Sequence, residues 1–126
     1  MGLDMYVFVT DQKLATDVDV DEDTIDPDAM EELHYWRKHP NLHGWMERLY
    51  YDKGGKSIEF NCVPLKLDED DIQFLKAAIV KNRLPRTEGF FFGASDGSEQ
   101  EDDLQFIAKA RAALACGKTI FYFSSW

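Results

Sequence analysis

Residues 35–45, Tyr35-Trp36-Arg37-Lys38-His39-Pro40-Asn41-Leu42-His43-Gly44-Trp45, bring together two tryptophans, a tyrosine, two cations and two histidines. Large aromatic walls beside fixed polar groups are what a small-molecule pocket is built from. The Arg37 fork matches a carboxylate or phosphate, and Lys38 adds a second positive charge. A helix starting at Pro40 and Asn41 adds positive potential, so the local site favours an anion. His43 is a candidate proton carrier, helped by His34 or His39. A general base also needs a positioned nucleophile and an oxyanion or phosphate clamp. The sequence shows no such set, so no catalytic residue is assigned.

The expected ligand-binding residues are therefore Tyr35, Trp36, Arg37, Lys38, His43 and Trp45, together with Ser124, Ser125 and Trp126 at the chain end. A terminal indole beside two serines is expected to dock, and these three are placed on the same face as Arg37.

Other motifs are incomplete. Asp17-Val18-Asp19-Val20-Asp21 follows the first liganding positions of a calcium loop, with Asp23 and Asp28 at the seventh and twelfth. Glu22 stands where the sharp turn requires glycine, Asp28 is shorter than the usual bidentate Glu, and no helix precedes the run. The default is a solvated charge run, with no metal site. Gly54-Gly55-Lys56-Ser57 resembles the end of a phosphate loop, but Tyr50 occupies the first glycine position and a strand follows, so a hairpin turn is expected. Phe90-Phe91-Phe92 and the aromatic chain end lack a basic groove and are read as core. No pattern calls for a cofactor.

Charge narrows the partners. The 126 residues carry 24 acids against 14 lysines and arginines, a formal charge of −10. That balance argues against direct nucleic-acid binding, which draws its affinity from cations displacing condensed counterions. A basic protein surface is the more natural macromolecular partner, contacted through Asp17, Asp19, Asp21, Glu22 and Asp23. Cys62 and Cys116 form no CxxC or Cys/His spacing and are read as reduced, half-buried thiols. The start lacks the positive charge and long apolar run of a signal peptide, and no run is long enough to span a membrane. A cytoplasmic location and no membrane contact are expected.

Periodicity supplies the elements. Leu3 to Thr10 alternates as a central strand, and residues 11–28 form an acidic loop of weak order. Glu31 to Arg37 reads as a strand, which places Tyr35 and Arg37 on one face and Trp36 and Lys38 on the other. Pro40 opens a helix to about Tyr51 with the stripe Leu42, Trp45, Met46, Leu49, and His43 at its boundary. Ile58, Phe60 and Cys62 alternate into a short strand ending near Pro64. Asp68 caps a helix carrying Ile72, Leu75 and Ile79. Gly89 to Gly93 reads as a buried strand. A last helix starts near Glu99 and ends at Gly117, with Leu104, Ile107, Ala110 or Arg111, and Leu114 on its apolar stripe; Thr119 to Ser125 is a closing strand. The fold class is α+β: one domain spanning 1–126, with a mainly antiparallel sheet of about four to five strands packed with three helices.

Met1-Gly2-Leu3-Asp4-Met5-Tyr6, Tyr35-Trp36-Arg37-Lys38 with His43 and Trp45, Phe90-Phe91-Phe92-Gly93 and Ser124-Ser125-Trp126 together resemble a family of small uncharacterised proteins of bacteriophages and prophages. The resemblance touches both ends and the middle, and the long acidic insertion after Thr10 departs from the shorter family pattern. It implies a phage setting in a bacterial host and carries no reaction with it. Three readings follow: a non-catalytic protein capturing a small anionic ligand or nucleotide; an acidic inhibitor of a basic, nucleic-acid-binding host defence protein; and a phosphoester- or nucleotide-processing enzyme using His43 and Arg37. The first is preferred. The oligomeric state is not fixed by the residues.

Overall fold

The computed structural model describes residues 3–12, 18, 27–85 and 99–126. The expected strand at Gly89–Gly93 and most of the acidic run, including Asp17, Asp19, Asp21, Glu22 and Asp23, lie outside the described residues. The elements are β1 (Asp4–Thr10), a 3-10 turn (Pro27–Ala29), β2 (Met30–Arg37), α1 (Pro40–Asp52), β3 (Leu65–Leu67), α2 (Glu69–Val80), α3 (Gln100–Ala115) and β4 (Thr119–Ser125). The strands form one antiparallel sheet in the order β2-β1-β4-β3. The described residues hold three helices and four antiparallel strands, an α+β fold.

β1 sits inside the sheet, as its two apolar faces require. Met5, Val7 and Val9 point to the helices and join one core with Leu42, Met46 and Tyr50 of α1, Ile72, Leu75 and Ile79 of α2, and Phe106, Ile107 and Ala110 of α3. Each large side chain so buried contributes about 1.5–3 kcal/mol. Asp4, Tyr6 and Phe8 point to the opposite face, which no described helix covers. Phe121 forms a separate small cluster there with Phe8 and Met30.

One residue of β2 decides which side chains face which side. The β1–β2 pairing runs Asp4↔Arg37, Met5↔Trp36, Tyr6↔Tyr35 and Val7↔His34, then shifts so that Phe8 opposes Glu32. Leu33 is the extra residue of a β-bulge. Strict alternation along β2 would put Glu32, His34 and Trp36 on one face. With the bulge, Glu32 shares the outer face with Tyr35 and Arg37, while His34 and Trp36 turn into the core.

The helix ends follow local chemistry. Pro40 occupies the first turn of α1, where its missing N–H costs nothing. At α2, the Asp68 side chain accepts from Asp71 N–H at 2.8 Å and Asp71 accepts from Asp68 N–H at 2.9 Å, a reciprocal capping box. Gly117 takes φ 77° just past α3, a left-handed conformation suited to glycine.

Four expectations need correction. The strand at Ile58 to Cys62 does not form: Ile58 is 97% exposed, Cys62 has φ 60°, and the Tyr51 hydroxyl donates to the Ser57 and Ile58 carbonyls. Those backbone groups are satisfied without a ladder, and the short third strand lies at Leu65–Leu67 instead. On α1 the buried line runs through Leu42, His43, Met46 and Tyr50, with Trp45 and Leu49 half-buried beside it. On α3 it runs through Asp103, Phe106, Ile107, Ala110 and Ala113, with Leu104 and Leu114 at its margin. Both cysteines are free and exposed, not half-buried, because they sit in the 55–64 loop and at the end of α3.

Candidate functional site

The sheet divides the aromatic and cationic segment in two. On the outer face, the Tyr35 hydroxyl donates to Asp4 Oδ1 at 2.6 Å. That bond, followed by desolvation and the Asp4 charge, raises the Tyr35 pKa above its usual value, with Arg37 opposing. Arg37 Nε lies 4.0 Å from the same carboxylate, and its side chain is 63% exposed. Ser125, exposed on β4, faces Asp4 from the other side. Tyr35 packs on Tyr6 at 5.1 Å between ring centroids, Tyr6 on Phe8 at 5.6 Å, and Phe8 on Phe121 at 5.5 Å. The aromatic row thus crosses three strands, leading from exposed Tyr35 to buried Phe121. Lys38 is exposed at the end of β2 with φ 55°, and its backbone N–H donates to Leu3 O.

On the inner face the remaining groups form buried polar networks. Trp36 Nε1–H donates to Asp103 Oδ1 at 3.0 Å, and His39 Nε2–H donates to Asp103 Oδ2 at 2.8 Å. His34 lies between Asp102 and Lys109: Nε2 is 3.0 Å from Asp102 Oδ2, and Nδ1 is 3.2 Å from Lys109 Nζ. An ammonium only donates, so Nδ1 accepts and Nε2–H donates to the carboxylate. His34, Trp36 and Phe106 pack their rings together above these contacts.

His43 is fully buried, not at the boundary where helical spacing put it. Its Nδ1 is 2.7 Å from the Tyr122 hydroxyl. Burial lowers the His43 pKa from 6.5 to about 4, and burial also pushes Tyr122 well above 10 against a hydrogen bond from Ser124. Tyr122 is therefore a phenol that donates to a neutral imidazole.

These placements bring Tyr35, Arg37 and Ser125 together on the outer face and take Trp36, His43 and Ser124 into the core. Ser124 and Trp126 do not share the Arg37 face. Trp126 docks instead on the 60–61 loop, with Nε1–H donating to Phe60 O at 3.1 Å and its backbone bracketed by Asn61. Trp45 packs against the core from a half-buried position. Arg37 and His43 lie on opposite sides of the sheet, so they cannot hold one molecule between them and the shared acid–base and clamp roles fail geometrically.

Sequence reasoning missed Asp103 and gave His39 only a helper's part. The signal was present: Asp103, Phe106, Ile107 and Ala110 follow the i, i+3, i+4, i+7 spacing of one helix face, which puts a carboxylate on the buried line. Asp71 is the parallel case on α2, paired with Lys53, and its pKa is raised by burial against the bonds from Asp68 and Lys53.

Two of the surface depressions lined by described residues bear on the site. A cleft of about 60 Å³ opens over His39 and Asp103, lined also by Asn41, Asn82, Glu99 and Gln100. A broader groove of about 250 Å³ at the far end of β1 and β2 is lined by Thr10, Asp11, Asp28, Glu31 and Lys118, so three carboxylates face one ammonium. Among the described residues no group of three His, Cys, Asp or Glu side chains is arranged to hold a metal ion, and no helix is long and apolar enough to cross a membrane. No protein-family model, curated protein or solved structure matches the chain.

Proposed function

We propose that the chain is a phage-type accessory protein that binds a basic host protein without catalysis, in the manner of an acidic inhibitor. The acidic groove carries this reading: Asp11, Asp28 and Glu31 converge where the acidic run leaves and rejoins the sheet, and Glu32 continues the charge along β2. Clustered carboxylates steer a cationic partner and discriminate against nucleic acid. The histidines favour a non-catalytic role, since all three are buried and engaged with Asp102 and Lys109, Asp103 or Tyr122.

The exposed Arg37 guanidinium beside the Tyr35–Tyr6 pair favours a second reading, in which a small anionic ligand or nucleotide stacks on Tyr35 and pairs with Arg37 and Lys38. Native mass spectrometry of the gently purified protein, alone and after mixing with host extract, separates the two. A stoichiometric complex with a basic protein, lost in Asp28→Lys/Glu31→Lys and at high salt, supports the first reading. A small-molecule adduct lost in Arg37→Ala and insensitive to the carboxylate changes overturns it in favour of the second.

A further inference from the structure

The outward side of α2 is unusual for a surface helix. Phe74 is 70% exposed and Val80 55%, and Ala77 between them is exposed too. At 100° per residue Phe74 and Ala77 lie opposite the buried line of Ile72, Leu75 and Ile79, with Val80 on the flank. Exposed Asp70 and Lys81 extend the stripe at its two ends, so that Asp70, Phe74, Ala77 and Lys81 follow a 4-3-4 spacing along one side of the helix. Read backwards, the same stripe exchanges acid for base and Phe for Ala.

We propose that α2 is a self-association surface, and that its partner is α2 of a second copy of this chain in antiparallel orientation. Charge complementarity selects both the occupant and the direction. In the antiparallel pair Asp70 meets the second copy's Lys81 at each end, and Phe74 lies over the second copy's Ala77. In a parallel pair like charges would face each other at both ends. The antiparallel arrangement is a two-fold, self-complementary contact in which each copy gives the same patch, and it sets the two helix dipoles head to tail. The stripe is about 16 Å long at 1.5 Å per residue. A contact of that length falls below the roughly 1,200 Å² of stable interfaces, so association is weak and concentration-dependent. The inference is independent of the acidic groove.

Sedimentation velocity of the intact protein over a dilution series tests it. The expected result is a shift from a 14.6 kDa species toward twice that mass as concentration rises into the range of about 100 µM. Phe74→Glu is expected to weaken association at least about tenfold with an unchanged circular dichroism spectrum, because the side chain is exposed. Asp70→Lys alone should weaken it by several fold, and adding Lys81→Glu should restore it by reversing both ends together. A monomer at every concentration, a dimer indifferent to Phe74→Glu, or a double variant no tighter than Asp70→Lys overturns the proposal. The charge-reversal series stands by itself if Phe74→Glu disturbs folding.

Discussion

The indole N–H of Trp36 and the carboxylate of Asp103 meet at 3.0 Å across 67 residues of chain, and this bond joins β2 to α3. Asp103 is 2% exposed and takes His39 on its other oxygen. Replacing it with alanine leaves two buried donors facing a void. Asp103→Ala is expected to cost about 3–5 kcal/mol, the range for breaking a buried charge-assisted network, as measured by the urea midpoint followed through tryptophan fluorescence. A loss under about 1 kcal/mol would mean that the network does not hold these elements together.

Neighbours in sequence should give opposite results. Trp36 is 4% exposed, so Trp36→Ala is expected to destabilise by about 3–5 kcal/mol. Arg37→Ala removes an exposed contact at 4.0 Å, which contributes little in water, and Tyr35→Ala removes a side chain that is 41% exposed. Both should leave the thermal midpoint almost unchanged while altering any binding at the outer face. Comparable unfolding midpoints for Trp36→Ala and Arg37→Ala would contradict the division made by the sheet.

Acid should expose the buried imidazole. Unfolded His43 takes up a proton as pH falls below 6.5, whereas the native residue resists until about 4 because burial disfavours its charged form. Its contribution to stability is present above pH 6.5 and is lost progressively between 6.5 and 4, by about 3 kcal/mol at 1.36 kcal/mol per pKa unit. Carboxylates also titrate near the lower end, so the quantity to measure is the difference between wild type and His43→Gln in denaturation series from pH 7.5 to 4. Parallel curves would refute the assignment.

Adjacent glycines also separate. A Cβ on Gly55 would collide with the ring of Tyr50, which is fully buried and whose hydroxyl accepts from Ser57 N–H. Gly55→Ala is expected to cost about 1–3 kcal/mol by displacing that ring. Gly54 has open space around it but sits at φ 95°, so Gly54→Ala should cost about 1 kcal/mol through backbone strain alone. Thermal unfolding that ranks Gly54→Ala as the more damaging would count against the close approach.

The sequence made the elements legible because their signals are local. Asp68 before Glu69-Asp70-Asp71, Pro40 at a first turn and Gly117 at a helix end each act within one turn of themselves. Alternation also separated Tyr35 and Arg37 from Trp36 correctly. The gathering of that segment into one pocket did not follow, because which face is covered depends on where α3 lands. Asp103 shows the limit most directly: beside Glu101 and Asp102 it reads as one more helix-start acid, its place on the line of Phe106, Ile107 and Ala110 sets it apart, and its partners Trp36 and His39 come from far along the chain. His43 looked like a boundary residue because nothing nearby in sequence announces Tyr122, which arrives from the other end of the chain.

Leu33 gives β2 something like a reading frame. The side chains on either side of it keep their faces because one surplus residue is absorbed at the bulge. Deleting Leu33 would set Glu32 directly before His34, and unbroken alternation would then keep Glu32 outside and His34 and Trp36 inside, the faces they already occupy. A codon lost there would cost the half-buried Leu33 side chain and spare the register, whereas losing Tyr35 would make His34 and Trp36 neighbours and force one of them out of the core. Variation in nature should therefore drop a residue at Leu33 more readily than at Tyr35.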